Sequence, residues 1–239
     1  MKLIKALDNK FKVNYLYYTM DNPTRIHTVS MMDTTSKKEV YNIWSDTYDA
    51  YVAEQKYTGP QELVKKLSTM IMNFKSREIE VLDFGCGTGL VGQEIRNQGI
   101  GVVVDGLDLS PKMLEKAAVR ECYRNLWELN LMEKNITEDL LNPDNRLEDK
   151  KTVKLYPVIV SCGVFLEGHA PLEIIDKLVD HLQIEGFLLF TIRDSYLEKE
   201  EEKVRKFVTE NPRLKVLEKE TIAYLENVEC SMFLVYRIF

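Results

Sequence analysis

The sequence predicts a doubly wound α/β fold, and three observations carry that prediction. Strand-like apolar runs alternate with amphipathic helical stretches four times in succession, and a glycine-rich loop joins the first of these strands to its helix. Two further strand-like runs then close the chain with no room for a helix between them. Parallel strands covered on both faces read as continuous apolar runs, and each crossover returns right-handed, which places helices on both faces of the sheet.

Residues 1–36 are polar, rich in Asn, Tyr and Lys, interrupted at Asn22-Pro23 and without a sustained period, which predicts a loose, flexible arm. From Lys37 the pattern changes. Val40, Ile43, Trp44, Thr47, Tyr48, Tyr51 and Val52 recur at three- and four-residue spacing along one side of a helix. Pro60, after Gly59, opens a second helix through Leu63, Leu67 and Ile71. Strands are predicted at 80–84, 101–108, 126–129, 158–161 and 187–192. The intervening helices are 90–98, stopped by Gly99; 111–121, opened by Ser110-Pro111; 171–183, opened by Pro171; and 195–209, where Ser195 and Glu198 match a capping box. Residues 133–155, with Asn142-Pro143-Asp144-Asn145, read as a surface excursion. Arg213–Ile222 and Cys230–Phe239 should form an antiparallel hairpin at one sheet edge. The chain thus divides into an arm, 1–36, and one domain, 37–239, whose first segment, 37–75, forms a helical lid.

Lys and Arg total 32 against 38 Asp and Glu, so a surface of net charge −6 disfavours nucleic acid as a partner. Residues 1–38 are the exception, with seven basic side chains against three Asp. Cys86, Cys122, Cys162 and Cys230 lack paired spacing, and no Cys/His cluster accompanies them, which argues against a bound metal. No apolar run reaches the roughly 18 residues of a membrane span, and no secretory signal pattern opens the chain. A cytoplasmic, monomeric protein with reduced thiols is expected.

The most informative segment is Val81-Leu-Asp-Phe-Gly-Cys-Gly-Thr-Gly-Leu-Val-Gly92. Gly85, Gly87 and Gly89 let the backbone approach a ligand closely at a helix N-terminus, and a nucleotide is the natural guest. Gly87-Thr-Gly-Leu-Val-Gly92 also satisfies the dinucleotide pattern G-x-G-x-x-G, which makes a nicotinamide oxidoreductase one reading. Asp83 argues against it, because a carboxylate beside the loop would repel a pyrophosphate. S-adenosylmethionine carries an ammonium and a sulfonium instead and suits that charge. Asp108 ends the second strand, where a carboxylate can accept from both ribose hydroxyls, and Leu109 to Met113 follow as adenine walls.

Asp83-Phe-Gly-Cys-Gly-Thr-Gly89 resembles motif I of class I S-adenosylmethionine-dependent methyltransferases, and Leu107-Asp-Leu-Ser-Pro-Lys-Met-Leu114 resembles their second motif. Tyr41–Asp49, Tyr57–Pro60, Cys122–Trp127, Gly168–Pro171 and Glu185–Arg193 together resemble the Williams-Beuren-region methyltransferase-like proteins. The resemblance covers residue 37 onward. It implies a Rossmann-like, seven-stranded, mostly parallel sheet with the last strand inserted antiparallel, and S-adenosylmethionine as cofactor. In it Asp83, Gly85, Cys86 and Gly89 hold the methionine moiety, Asp108 the ribose, and Leu109 and Met113 the adenine, with Gly87 a further cofactor contact. Asn130, flanked by Leu131, stands where such enzymes often have an acidic residue near the adenine amino group. Ser161, Cys162 and Gly163 line the place where the methyl points, and Trp44, Tyr48 and Tyr57 form an aromatic lid.

Plainer readings stand beside several of these. Trp44 and Tyr48, four residues apart, can equally be helix packing. Cys162 has no activating neighbour in sequence and reads as a small packing residue. Arg193-Asp194 either touches substrate or begins a helix. His169, in a loop after the fourth strand, is the candidate general base or else a surface turn residue. The expected activity is methyl transfer to a small-molecule acceptor, and the alternative is a non-catalytic module that binds S-adenosylmethionine or S-adenosylhomocysteine and acts through a protein partner.

Overall fold

A computed structural model describes residues 23–31, 36–72, 74, 78–130 and 154–239. The predicted excursion, apart from Lys154 and Leu155, lies outside these, as does residue 131. Seven strands, β1 Ile79–Phe84, β2 Val102–Asp108, β3 Asn125–Glu128, β4 Tyr156–Phe165, β5 Leu182–Arg193, β6 Leu214–Leu225 and β7 Val228–Arg237, form one sheet in the order β3-β2-β1-β4-β5-β7-β6. The first five run parallel, and β7 lies antiparallel between β5 and β6. The chain direction of strand order reverses between β1 and β4, and ligands of such sheets bind in the crevice that opens there.

Alternation along the strands separates two cores. Val81, Val158, Val160 and Leu189 face one side, where α4 Gly59–Ile71 and α5 Leu90–Asn97 cover them with Leu63, Leu67, Val91 and Ile95. Leu82, Ile159 and Leu188 face the other, under α7 Ile174–Asp180 and the segment α8 Asp194–Lys199, α9 Glu201–Val204. Because both faces of the central strands are covered, most positions of β1, β2 and β4 are apolar, and this is why they were visible as runs rather than as alternation.

Three details differ from expectation. Pro23 opens a helix, α1 Pro23–Ser30, within the predicted arm, and buries Ile26 and Val29. An eight-residue helix offers only two inward apolar positions, too few to show a period. The predicted capping box at Ser195 does not form: α8 begins at Asp194 with Arg193 as its N-cap residue. The single helix expected over 195–209 is broken at Glu200 and ends in a wider, π-type turn, Arg205–Thr209, that brings both Phe207 and Val208 into the core.

A third cluster builds the roof of the crevice. Two short helices, α2 Lys37–Trp44 and α3 Tyr48–Glu54, bring Val40, Trp44, Tyr51 and Val52 against Ile26 and Val29 of α1 and against Met113 of α6 Pro111–Val119. Ser36 caps α2 by accepting from the Glu39 amide. The roof is anchored to the sheet's loops by polar contacts. Ser110 donates to Asn42 Oδ1 (2.7 Å), and Thr88 donates to Asp49 Oδ1 (2.6 Å). Arg120 grips the same Asp49 and donates from Nε to the Thr88 carbonyl at 2.6 Å.

Candidate functional site

β1 ends at Phe84 and the chain turns back on β2, because the Gly85 and Cys86 amides both donate to the Leu107 carbonyl, at 2.8 and 3.0 Å. Gly85 has φ +72°, and a Cβ there would lie 2.3 Å from Val164 Cγ2, so only glycine fits between the loop and β4. Gly87, at φ +53°, is the opposite case: a Cβ there would meet nothing within 4 Å, because its backbone faces open space. That space is a cavity of about 350 Å³ at the carboxyl ends of β1, β2 and β4, roofed by α2 and α3.

Asp108 lines the cavity across from the loop. Its Oδ2 accepts from the Gly87 amide (2.9 Å) and its Oδ1 from the Ser110 amide (2.8 Å). One carboxylate therefore fixes both the glycine loop and the start of α6, where Ser110 Oγ accepts from the Met113 amide. Burial pushes the Asp108 carboxyl up to about 6, against the opposing pull of the Ser110 and Gly87 amides. Leu109 and Met113 continue the wall from Asp108, and Asn130 lies beyond the end of β3 on the same lining.

Asp83 is placed differently. It is fully buried and absent from the lining, beneath the loop rather than beside it. The Tyr123 hydroxyl donates to its Oδ2 at 2.7 Å, while Oδ1 is buried with no partner among the described residues. Burial lifts this carboxyl to about 7, Tyr123 pulling it down and Asp108 adding to the rise. Gly89 acts as N-cap of α5 behind the lining, and Ser161 is buried with its Oγ unpartnered. Cys86 and Cys162 do reach the cavity. Cys162 Sγ meets the Tyr57 hydroxyl at 3.2 Å, and burial raises its thiol to about 12, so it is an inert wall.

The two readings of the aromatic pair separate. Trp44 is 2% exposed and packs edge-on to Tyr48 at 5.0 Å, inside the roof, whereas Tyr48 and Tyr57 line the cavity. Tyr57 is held from behind by Tyr224, whose hydroxyl donates to it at 3.2 Å.

His169 also lines the cavity. Its Nδ1 lies 2.9 Å from the Glu167 carbonyl and so carries the proton, which leaves Nε2 to accept from the Tyr41 hydroxyl at 2.6 Å. Burial, joined by the charges of Lys37 and Arg193, lowers this imidazole to about 4. A neutral, doubly engaged ring is what results, and its lone pair is already occupied. Sequence reasoning missed Tyr41, Asn42 and Asp49, which lie on α2 and α3 and meet the site only because these two helices fold back over the loops.

Residues 52–225 match a family model described as a methyltransferase domain. The chain is 31% identical over 164 residues to the malonyl-[acyl-carrier protein] O-methyltransferase of Priestia megaterium, spanning 67% of this chain and 52% of that protein. It is 30% identical over 146 residues to methyltransferase-like protein 27 of Homo sapiens, spanning 61% of this chain and 54% of that one. The chain thus spans about half the length of the curated relatives it matches. Among solved structures, the magnesium protoporphyrin IX methyltransferase ChlM of Synechocystis PCC 6803, with bound SAM, superposes with a TM-score of 0.53 at 15% identity, covering 97% of this chain and 98% of that one. The plantazolicin methyltransferase BpumL, with an analogue and SAH, gives 0.57 at 14% identity over 95% and 98%. Those two likenesses concern the fold.

Proposed function

The chain belongs to this methyltransferase-domain family, and we propose that it transfers a methyl group from S-adenosylmethionine to a small-molecule acceptor. The observation that carries the reading is the pairing of the glycine loop with Asp108 across one cavity, the loop's amide bonded to the carboxylate itself. The residues fit the cofactor. Gly87 leaves room for a close ligand, Asp108 keeps lone pairs for two ribose hydroxyls, and Leu109 and Met113 offer apolar walls for the adenine. Beneath the loop, the unpartnered Oδ1 of Asp83 favours a cationic amino-acid end over a pyrophosphate. Gly87, Asp108, Leu109 and Met113, with Gly85, Cys86, Asn130, Cys162, Tyr48 and Tyr57, form the proposed cofactor site; Asp83, Gly89, Ser161 and Trp44 support it from behind.

When bound, S-adenosylmethionine supplies an electrophilic methyl on its sulfonium. The chain's own part is placement and exclusion of water. Tyr48 and Tyr57 close over the cavity, and α2 and α3 act as the lid, tied to the loops through Asn42 and Asp49. His169, read from sequence as either a candidate base or a surface turn residue, is assigned here to fixing the Tyr41 hydroxyl in the wall.

Asp108 gives the site a pH dependence. Ribose hydroxyls donate best to the ionised carboxylate, and protonation of Asp108 also weakens its hold on the Gly87 and Ser110 amides. S-adenosylhomocysteine affinity should therefore rise as pH increases through about 6 and 7, where Asp108 and then Asp83 ionise, and level off above that. A calorimetric series from pH 5 to 8 measures this, and a flat series contradicts the assignment.

Among the described residues no helix is long and apolar enough to cross a membrane, and all four cysteines are unpaired, which supports the proposal of a reducing, cytoplasmic setting. The activity is tested by incubating the protein with methyl-tritiated cofactor and a low-molecular-weight cell extract. Label carried into small molecules is the expected result. Binding of the cofactor with no transfer to any fraction would favour the non-catalytic module.

A further inference from the structure

Arg193 closes β5, and three strand spacings, roughly 14 Å, separate it from Asp108 at the end of β2. The cofactor's ribose end and this residue therefore mark opposite ends of the crevice. Among the described residues no carboxylate pairs with Arg193. Its Nε is buried without a hydrogen-bond partner, and its Nη1 meets only the thioether of Met31, at 4.0 Å. A half-buried guanidinium so poorly matched is costly unless a ligand completes it.

Two cations lie along the cavity, while Asp194, next in the chain, and Glu167 lie near Cys230, the residue paired with Arg193 across the sheet, and among the described residues neither forms an ion pair with it. Lys37 lines the cavity and donates to the Ser30 carbonyl at 2.7 Å, and Lys38 lines it in a pair with Glu128. Among the described residues, the one carboxylate on the lining is Asp108, at the far end. Tyr41, Tyr48 and His169 stand on the lining within reach of the Arg193 charge, and His27 lies behind them. Burial and the Arg193 charge keep His27 low, so both histidines are uncharged near neutrality and neither adds to the positive charge there. Met31 lies against Arg193: its carbonyl packs against Gly168 while its flexible thioether meets the guanidinium.

We propose that Arg193 is the anion-binding residue of the acceptor site, and that the acceptor is a small molecule bearing a carboxylate that takes the guanidinium in place of the Met31 thioether. A carboxylate matches the planar fork with two parallel hydrogen bonds, which an ammonium or a thioether cannot. The word acceptor rests on the methyltransferase reading; the anion site itself does not.

The test is calorimetric titration of the full chain with benzoate and with its uncharged isostere benzamide, each with and without saturating S-adenosylhomocysteine. Benzoate should bind at least tenfold more tightly than benzamide. Arg193→Gln should weaken benzoate at least tenfold and leave S-adenosylhomocysteine affinity unchanged, while Arg193→Lys, which keeps the charge but not the fork, should fall between. Equal affinity for the two probes, no benzoate binding, or undiminished benzoate affinity in Arg193→Gln overturns the proposal. Should Arg193→Gln unfold at a lower temperature than the wild type, the benzoate–benzamide difference in the wild type and the Arg193→Lys variant decide. Failure of S-adenosylhomocysteine to bind the wild type would count against the methyltransferase reading, and the probe pair without it would still decide the anion site.

Discussion

Replacing Asp108 by alanine is expected to weaken S-adenosylhomocysteine binding by about 100-fold or more, close to 3 kcal/mol. Two effects add. The carboxylate holds the Gly87 and Ser110 amides at 2.9 and 2.8 Å, and hydrogen bonds to an ionised group are worth about 1.5–3 kcal/mol each. Without it the glycine loop loses its tie to the end of β2, and the proposed ribose contacts vanish as well. Asp108→Asn keeps the shape and one acceptor oxygen, so it should lie between wild type and alanine. Calorimetry reads both variants, and a change below about threefold in the alanine variant would remove Asp108 from the site.

Three residues earlier on the same strand, Asp105 does unrelated work, and its loss is expected to cost stability rather than binding. It is fully buried, and Arg124 Nε, Asn125 Nδ2, Lys154 Nζ and the Tyr156 hydroxyl all donate to it, at 3.0, 3.0, 2.9 and 2.9 Å. Burial alone would push this carboxyl up, but Arg124, Lys154 and Tyr156 outweigh it and hold the group below the usual carboxylate range. Alanine there leaves two cations and a buried hydroxyl with fewer acceptors. Removing one partner of a buried ion pair typically costs 3–5 kcal/mol; Glu80, which also pairs with Arg124 and Lys154, should keep the loss near the lower figure of about 3 kcal/mol. Urea unfolding of Asp105→Ala measures this. An unchanged midpoint would mean that the cluster is ornamental.

The two aspartates show why sequence reading succeeds at one position and not another. Asp108 follows a strand at the distance from a glycine loop that ribose recognition requires, so its place is legible from local pattern. Nothing local marks Asp105, whose donors come from the first residue of β3 and the one before it, from Lys154 two residues ahead of β4, and from Tyr156 in β4 itself. The central parallel strands were legible because burial on both faces demands apolar runs, which survive in a single sequence, and the closing hairpin because its connection leaves no room for a helix. The roof was half legible. Spacing put Trp44 and Tyr48 on one helix face, but the break between α2 and α3 sends Trp44 into packing and Tyr48 to the cavity. Asp83 was read as flanking the loop, whereas the strand's alternation turns its side chain beneath it toward Tyr123. Asn42 and Asp49 hold the roof down only because α2 and α3 fold back over the loops, a tertiary fact with no local signature.

The central claim is that this glycine loop serves S-adenosylmethionine, and side-by-side calorimetry with S-adenosylmethionine, S-adenosylhomocysteine and NADH tests it most directly. The account predicts binding of the first two in the micromolar range, on the order of −8 kcal/mol, with none for NADH. Binding of NADH alone would contradict it: the Asp83 argument would fail, and the G-x-G-x-x-G pattern would have to be taken at its word.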